Sequence, residues 1–487
     1  MSIADELLPF GFTEGAKLPS GVLEEIREAA RLAREFNRDV VRPRAHDLDR
    51  LVQGQPEHLP WDLVKAAGDR GFYSLWLPRA FGGGGYGPLS MLAFSEELAS
   101  ECLGVGNLIG AHYVGIALIS ATFNMRVLRR VCEDVVAGEL AGKPRLVSTA
   151  ITEPDAGTDM EDVDLLDRGR VGCRAERAEG GYRLSGTKMF ISNGHLSAWH
   201  VVTGYSNLAK PSESVVIAAV PSSSKGFSLG RIERKMGQNA CPASVLNFDS
   251  CFVPDELICL EPSRHAGPIP YRQVCEMLSD DVLAMSRPGV AIMAAGAAKG
   301  AYRAAFEHCV KTRVDGVPLA SLEWVQTRLA EMWKNVKLGE YCAWEAGLRA
   351  SSRGPFRTMQ QPLAYWLLKL LPAAIAAPLL SHPSGRAKML ADRAALRRSG
   401  ADREYGSYSS LAKFAATDLA VDSCRIALEL MGHAGGRGDG RVEKILRDVR
   451  LTQIYEGTNQ LNRLNLFKQG LGHGAPGVSV FGEGSSC

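Results

Sequence analysis

The spacing of the hydrophobic residues changes twice along this chain of 487 residues. Helical spacing runs from Pro19 to about Leu140, short β-rich runs follow up to about Leu260, and helical spacing returns after Pro268. A chain of this length is also too long for one hydrophobic core. The pattern therefore predicts a helical domain at 1–145, a β domain at 146–262, a helical bundle at 263–475 and a flexible tail at 476–487.

The composition is that of a soluble globular protein, with 46% hydrophobic and 23% charged residues. Its 56 basic and 54 acidic residues give a net charge of +2, which does not indicate a nucleic-acid-binding protein. The 11 cysteines include no Cys-x-x-Cys pair, so the sequence predicts no metal site and favours reduced thiols in the cytoplasm. Met1 to Ser20 lacks a basic stretch followed by an apolar core, which predicts neither a secretory signal nor a transit peptide.

Individual elements can be placed on this pattern. Amphipathic runs predict helices over Val22–Val41 and Leu89–Ala99, with turns at Arg42-Pro43 and Phe81–Pro88. The glycine run Gly82–Gly85 lacks the Lys-Ser/Thr of a phosphate-binding loop, so we interpret it as an ordinary loop. The predicted strands are Leu146–Ile151, Tyr182–Ser185, Trp199–Thr203, Ser214–Val220 and Val245–Phe248. The predicted helices of the bundle are Val290–Val310, Leu322–Leu348 and Tyr408–Met431.

One apolar segment interrupts the bundle. Leu363–Leu380 contains a single charge, Lys369, and two prolines, Pro372 and Pro378, and it precedes the basic stretch Arg386–Arg403. Two helix breakers disfavour a regular membrane span. An element lying on a membrane surface, with basic residues meeting anionic headgroups, is one interpretation. A buried insertion or a subunit contact is the other, and the sequence does not separate them.

Glu456 is the residue that most resembles a catalytic group. It lies in the uncharged stretch Gln453–Thr458 and precedes Gly457, which lets a ligand or another backbone approach closely. A carboxylate in apolar surroundings loses hydration, so its pKa is expected to rise and it becomes a better proton acceptor. The alternative is a glutamate that caps free amides at a helix end.

Four strings in the chain share a family pattern. They are Thr152–Asp159, Gly186–Gly194, Ser286–Pro288 and Ile454–Thr458, with the weaker Lys235–Gly237 between them. Their identity and order resemble the acyl-CoA dehydrogenase family over nearly the whole chain. The resemblance implies an α+β fold made of an N-terminal helical domain, a middle β-barrel or sheet domain, and a C-terminal four-helix bundle. The chain would add an insertion at about 354–406 to that bundle.

The resemblance implies FAD as the cofactor. In the family, the first string lines the flavin, and its backbone amides suit that role because a glycine removes side-chain bulk. Phe190 would lie against the isoalloxazine ring and Ser192 near its N5, where relatives commonly have Trp and Thr. The alternative is that Phe190 belongs to a core and Ser192 to a turn. The further cofactor-binding residues expected from the resemblance are Thr149, Ile151, Thr152, Gly157, Thr158, Ile191, Thr458 and Gln460.

The implied reaction is the α,β-dehydrogenation of an acyl-CoA to a trans-2-enoyl-CoA. Glu456 would remove the α-proton while the β-hydrogen leaves as hydride to flavin N5, and the Glu456 amide would bind the thioester oxygen. Some relatives carry the base at the position of Ser286, which cannot act as a base at neutral pH. Arg287 would tune the charge near the base; its alternative is a surface arginine. The expected substrate-binding residues are Thr158, Ser286, Arg287, Tyr455 and Gly457.

The chain departs from the family where relatives bind the FAD pyrophosphate and adenosine of a neighbouring subunit. Arg313 matches the family arginine only if one residue is deleted, and Glu323 and Glu429, the latter three residues before Gly432, stand where glutamines are usual. We expect these four residues to contact the pyrophosphate and adenosine part of FAD. Two carboxylates there would repel a diphosphate unless they bind ribose hydroxyls or lie beside a basic residue.

The resemblance also implies partners. We expect a homodimer or homotetramer that passes electrons to an electron-transfer flavoprotein. We place the protein in the cytoplasm, with Leu363–Leu380 as the segment that could contact the inner membrane surface. The rival functions are an oxygen-using flavin oxidase or monooxygenase of the same fold, and a non-catalytic scaffold associated with a membrane.

Overall fold

The computed structural model describes residues 18–265, 269–353, 357–380, 382–438 and 440–471. The predicted tail at 476–487 and most of the N-terminal segment Met1–Ser20 lie outside these residues. The N-terminal domain consists of helices α1 Ser20–Phe36, α2 Arg42–Gly54, α3 Trp61–Gly68, α4 Pro88–Glu101, α5 Leu103–Ala121 and α6 Met125–Leu140.

The N-terminal helices pack around apolar side chains that include Phe36, Phe72 and Phe94.

The structure confirms one of the two predicted connections in this domain and corrects the other. The loop predicted at Gly82–Gly85 is confirmed, and Gly82 and Gly85 have φ of 91° and 68°. The turn predicted at Arg42-Pro43 is wrong, because a π-helical turn over Asn37–Val41 leads directly from α1 into α2. Pro43 lies in the first turn of α2, where a helix needs no backbone donor from it.

Helix α5 is the one described helix that is long and apolar enough to cross a membrane on length and composition alone. In the structure, 61% of its apolar window is buried within the protein. It packs against α4 and against a strand and a helix of the two following domains.

The middle domain is a mixed sheet. Its strands are β1 Leu146–Ala150, β2 Arg174–Ala178, β3 Gly181–Ser192, β4 Ser197–Tyr205, β5 Val215–Pro221, β6 Phe227–Ile232, β7 Ala243–Pro254 and β8 Ile258–Leu260. The order is β6-β7-β3-β2-β4-β5-β8, with β1 pairing in parallel to β4. The short helix α7, Val163–Leu166, lies between β1 and β2. All five predicted strands are present.

The C-terminal domain is built on three long helices. They are α8 Tyr271–Lys311, α9 Glu323–Arg353 and α13 Ala401–Met431, and the short helices α14 His433–Gly436, α15 Arg441–Thr452 and α16 Asn459–Leu466 complete the domain. A small hairpin of β9 Arg313–Val314 and β10 Val317–Pro318 joins α8 to α9. Helix α8 begins at Tyr271, not at Val290 as predicted, and Pro288 lies inside it.

Helix α8 packs closely on α4 and thereby joins the bundle to the N-terminal domain. A Cβ on Gly296 or Gly300 would lie 2.3 Å from the carbonyl oxygens of Glu96 and Ser100. Only glycine permits so close an approach of the two helices at these positions.

The segment predicted to be an insertion forms three helices, α10 Pro362–Leu370, α11 Ala373–Leu380 and α12 Pro383–Ser399. Helix α10 folds back onto α1, where Tyr365 Oη donates a hydrogen bond of 2.7 Å to Glu25 Oε1 and Lys369 Nζ lies 2.5 Å from the same oxygen. Lys369 also donates to the Gly85 carbonyl at 2.6 Å. On α12, Arg393 pairs with Asp281 of α8 at 2.6 Å. The insertion therefore bridges the N-terminal domain and the start of α8.

Candidate active site

Glu456 lies in the loop between α15 and α16, and this loop has an unusual backbone. Glu456 and Gly457 have φ of 56° and 77°, so two successive residues occupy the left-handed region. Thr458 Oγ1 accepts a hydrogen bond from the Leu461 N–H at 3.3 Å and caps α16. The capping role that was the alternative for Glu456 is therefore filled by Thr458.

The bundle fixes this loop by hydrogen bonds to its carbonyl oxygens. Lys413 Nζ, on α13, donates to Gly457 O at 2.6 Å. Asn462 Nδ2 donates to Gly457 O at 2.9 Å and to Thr458 O at 3.0 Å. The left-handed turn is thus held from both sides, which offsets the strain of a non-glycine residue at positive φ.

The side chains around Glu456 come from α8 and α13. Ser286 Oγ donates to Glu456 Oε2 at 2.5 Å, and Arg287 Nε donates to the Glu456 carbonyl at 3.3 Å. Arg287 Nη1 donates to Ser410 Oγ at 3.0 Å. The Arg287 side chain is only 3% exposed, so it is not a surface arginine.

Glu161 is a neighbour of this group that the sequence analysis missed. Its Oε2 lies 3.6 Å from Arg287 Nη2, and a Cβ on Gly457 would lie 2.7 Å from the same oxygen. Burial raises the pKa of Glu161 to about 7, an effect that Arg287 opposes and Glu456 reinforces. Burial lowers the pKa of Lys413 to about 7, against the attraction of Glu161. The signal in the sequence is a carboxylate three residues after Thr158.

The two middle-domain strings predicted to bind flavin lie together. Met189 N–H donates to the Thr152 carbonyl at 2.9 Å, and the buried Lys188 donates to the Ile151 carbonyl at 2.8 Å and to Glu153 Oε1 at 2.7 Å. These bonds join the end of β1 to β3. The loop after β1 then leads through Gly157 and Thr158 into the short 3-10 turn that ends at Glu161.

Phe190 is turned outward by an irregularity in β3. The pairing of β3 with β7 shifts register between Lys188 and Ile191, and Phe190 between them has φ of 57°. Its side chain is 56% exposed, whereas Ile191 is 2% exposed. Phe190 is therefore not a core residue in this chain, and Ser192 ends the strand two residues later.

Tyr455 connects the Glu456 loop to the middle domain. Its hydroxyl accepts a hydrogen bond of 3.2 Å from Gln238 Nε2. Three residues on, Cys241 Sγ lies 3.4 Å from Asn193 Oδ1, beside Ser192 at the end of β3. The strings around Glu456, Ser286, Thr158 and Ser192 are thus brought to one junction of the middle and C-terminal domains.

A second set of predicted residues lies far from this junction. Arg313 follows the end of α8, Glu323 begins α9, and Glu429 and Gly432 lie at the end of α13. Ser286 and Lys311 are 25 positions apart on α8, which is about 37 Å at the rise of an α-helix. Within one chain, these four residues therefore lie far from the Glu456 loop.

The acidic residues at this far end are less repulsive than the sequence suggested. Glu429 forms a salt bridge with Arg328, so its charge is compensated. Glu323 is exposed in the first turn of α9, where the helix dipole favours a carboxylate. Arg313 donates to Gly316 O of its own hairpin at 2.8 Å. Gln460, in the first turn of α16, is exposed.

Three family models match the chain in order. They describe the N-terminal domain of acyl-CoA dehydrogenase over residues 23–139, the middle domain over 148–251, and the C-terminal domain over 278–371 and 385–471. The gap in the last match contains α11 of the insertion. The probable acyl-CoA dehydrogenase fadE25 of Mycobacterium leprae (strain TN) is 25% identical over 451 residues, which are 92% of this chain and 95% of that protein.

Solved structures have the same fold. Butyryl-CoA dehydrogenase from Megasphaera elsdenii has a TM-score of 0.70 at 21% identity, with 94% of this chain and 99% of that chain covered. A glutaryl-CoA dehydrogenase from Mycobacterium smegmatis in complex with FADH2 has a TM-score of 0.68 at 19% identity, with 96% and 98% covered. Since the family models match most of its length, this chain belongs to the acyl-CoA dehydrogenase family of oxidoreductases.

Proposed function

We propose that this protein dehydrogenates an acyl-CoA thioester to a trans-2-enoyl-CoA, with Glu456 as the acceptor of the α-proton and FAD as the acceptor of the β-hydride. The observation that supports this most strongly is the meeting of the Glu456 loop, the buried Arg287 and the end of β3 at one domain junction. Family membership supplies the reaction class. The assignment of each role to a residue of this chain is our proposal.

The middle domain offers features that fit a flavin. Phe190 presents an exposed aromatic ring from a bulge, and Gly157 has open space where a side chain would begin. Thr149 Oγ1 is buried without a hydrogen-bond partner among the described residues, so it can bind a polar edge of a ligand. We therefore propose that Thr149, Gly157 and Phe190, with the backbone of Thr152 and Ile191, hold the flavin. FAD supplies a hydride acceptor at its N5 when bound.

Glu456 would accept the α-proton, and the residues around it on α8 would position it. The Ser286 hydroxyl holds one carboxylate oxygen of Glu456, which orients the group toward a substrate α-carbon. The Arg287 guanidinium provides a fixed positive charge beside the base. The Glu456 N–H has no partner among the described residues, so it is available to the thioester oxygen, where negative charge develops as the proton leaves.

A panel of acyl-CoA thioesters tests the proposal. Purified holoprotein is mixed anaerobically with thioesters of different chain length and branching, and flavin absorbance and product mass are followed. We expect at least one thioester to bleach the flavin and to yield a product two hydrogens lighter. If every thioester leaves the flavin oxidised, the proposed dehydrogenation is contradicted.

We propose an electron-transfer flavoprotein as the electron acceptor, because the family resemblance implies it. The substrate-reduced flavin should then be reoxidised slowly by air and rapidly by an electron-transfer flavoprotein. Rapid reoxidation by air alone would instead favour the oxidase function.

We propose that FAD binding requires a second subunit. Arg313, Glu323, Glu429 and Gly432 lie at the end of the bundle that is about 37 Å along α8 from Ser286, so in one chain they would not reach a flavin bound beside Glu456. Apolar side chains are exposed near this end, including Trp324 at 54% and Val310 at 47%. A homodimer or homotetramer would cover them and place these residues against a neighbour's FAD.

Cytoplasmic location and contact of the insertion with a membrane surface stay proposals. Helix α10 turns Tyr365 and Lys369 toward α1 and exposes Leu363, Leu367 and Leu370. Because these leucines are exposed, α10 is not buried inside the protein. Contact with a membrane and contact with another subunit are the two interpretations left.

A further inference from the structure

We infer that Glu161 is a second carboxylate of the active site, which acts through Arg287 and the Gly457 turn to set the charge around Glu456. The inference rests on the proposed role of Glu456 as the base. Glu161 is a positioning residue in this account, because nothing in the structure places it against the reacting carbon atoms. Four observations support it: its place in the chain, its contacts, the partners of Arg287 and the charges nearby.

The local fold directs Glu161 toward the Glu456 loop. It is the last residue of the 3-10 turn Thr158–Glu161, which follows the flavin string. Its carbonyl accepts a hydrogen bond of 3.3 Å from Ser279 Oγ of α8, so the turn is fastened to the bundle. Its side chain keeps 22% exposure, but Oε2 is buried against Gly457.

Arg287 lies between the Glu161 side chain and the Glu456 backbone. Its Nε donates to the backbone carbonyl of Glu456, while the Glu456 carboxylate itself is bound by Ser286. Among the described residues, the salt bridge of Arg287 is with Glu161, at 3.6 Å from Nη2. Nη2 and Glu161 Oε2 are both buried with no hydrogen-bond partner in the part of the chain that the structure describes, so the ion pair is the polar contact they have with each other. The charge of Glu161 therefore decides how much of the Arg287 charge is left to act on Glu456.

Three charged groups of the described residues act on Glu161. Arg287 faces it from α8, Lys413 from α13, and Glu456 from the loop. Burial raises the pKa of Glu161 to about 7. Below that pH the protonated Glu161 leaves the Arg287 charge uncompensated beside the Glu456 loop. Above it the ionised Glu161 offsets that positive charge.

We therefore expect the rate of proton abstraction to depend on pH because Glu161 ionises. In the wild type, the rate of flavin bleaching by an acyl-CoA should rise roughly three- to tenfold as pH passes upward through the pKa of Glu161, because the ionised Glu161 offsets the Arg287 charge beside the proposed base. In Glu161→Gln this step should be absent and the rate should stay at the low-pH level. Glu161→Asp keeps an ionisable group and should restore part of the step.

The control removes a neighbouring carboxylate. Asp162→Asn loses a charge next to Glu161 but keeps a side chain that can cap α7, and Asp162 pairs with Lys468 rather than with Arg287. This variant should retain the wild-type pH step. An identical pH profile in the wild type and Glu161→Gln would overturn the inference.

A second measurement needs no substrate. Because the folded-state pKa of Glu161 is raised from 4.5 to about 7, the native state binds an extra proton between these values, and wild-type stability falls as pH rises through that window. Glu161→Gln lacks this loss. Its Tm relative to the wild type should therefore increase by roughly a few degrees from the lower to the upper end of the window. A difference in Tm that is constant with pH would contradict the buried charge.

The two measurements separate the inference from the proposed function. If no acyl-CoA bleaches the wild-type flavin, the proposed function fails, and the Tm measurement still decides the charge state of Glu161. If the wild type is bleached and Glu161→Gln follows the same pH profile, only the role of Glu161 fails.

Discussion

At the scale of single residues, the candidate site is organised around the hydrogen bonds that Ser286 and Arg287 donate to Glu456. The sequence excludes Ser286 as a rival base but gives it no other role. In the structure it is the hydroxyl that binds Glu456 Oε2 at 2.5 Å. A hydrogen bond to a charged group contributes about 1.5–3 kcal/mol. We therefore expect Ser286 to affect the proposed reaction even though it cannot accept the proton.

Replacing Ser286 tests this contact. We expect Ser286→Ala to keep its flavin and to be bleached by acyl-CoA roughly tenfold more slowly, because the carboxylate loses the bond that orients it. Ser286→Thr keeps the hydroxyl and is the matched control. The measurement is stopped-flow flavin absorbance. Equal rates in Ser286→Ala and Ser286→Thr would mean that the hydrogen bond has no part in catalysis.

At the scale of secondary structure, the sequence predicts what local patterns determine. The order of helical and β regions, all five predicted strands and the loop at Gly82–Gly85 follow from periodicity and turn residues. The missed strands β2, β6 and β8 do not alternate clearly: β2 reads Arg-Ala-Glu-Arg-Ala, β6 contains Gly230, and β8 has three residues. The start of α8 was missed because packing tolerates Pro288 inside the helix.

Some site residues could likewise be predicted from local patterns in the sequence, and others could not. Glu456, Ser286 and Arg287 could be proposed from short strings that resemble a family. Glu161 could not, because its role comes from contacts with Arg287 and Gly457, which lie more than a hundred residues away in the chain. The pairing of Glu429 with Arg328 is likewise a contact between two helices that no local pattern reveals.

The exposed face of α10 yields a prediction at this scale. If it binds a membrane, holoprotein should float with anionic vesicles, and Leu367→Glu should reduce the bound fraction roughly tenfold, since burying a leucine contributes about 1.5–3 kcal/mol. Leu229→Glu is the control, because Leu229 is exposed to a similar degree, 43% against 48%, on the distant strand β6. If the wild type does not float, α10 contacts another subunit instead.

At the scale of the whole molecule, the residues predicted to bind the cofactor lie at two separate ends of the bundle. The end with Ser286 contacts Glu456, and the end with Arg313 and Gly432 lies about 37 Å along α8. The insertion adds a contact between the N-terminal domain and α8 through Glu25 and Asp281. We therefore propose that a complete FAD site takes the far end of the bundle from a neighbouring chain.

This arrangement predicts that assembly and flavin content are lost together. Trp324→Glu, at the start of α9, should lower the mass measured by analytical ultracentrifugation and also the FAD bound per chain, because a charge replaces an apolar side chain at the proposed contact. Trp61→Glu on α3 is the control, since Trp61 is 47% exposed against 54% for Trp324. A wild-type monomer with a full complement of FAD would contradict the shared site.

The central claim is that Glu456 takes the substrate proton, and Glu456→Gln tests it most directly. The amide keeps the size of the side chain but cannot accept a proton, and general-base catalysis contributes about 10²- to 10⁴-fold. Anaerobic stopped-flow bleaching by the best acyl-CoA of the panel is compared with that of Glu331→Gln, a half-exposed carboxylate on α9. We predict that Glu456→Gln keeps the oxidised flavin spectrum of the wild type but is bleached about 10²- to 10⁴-fold more slowly. Glu331→Gln should be bleached at the wild-type rate. A bleaching rate equal to that of the wild type would contradict the account.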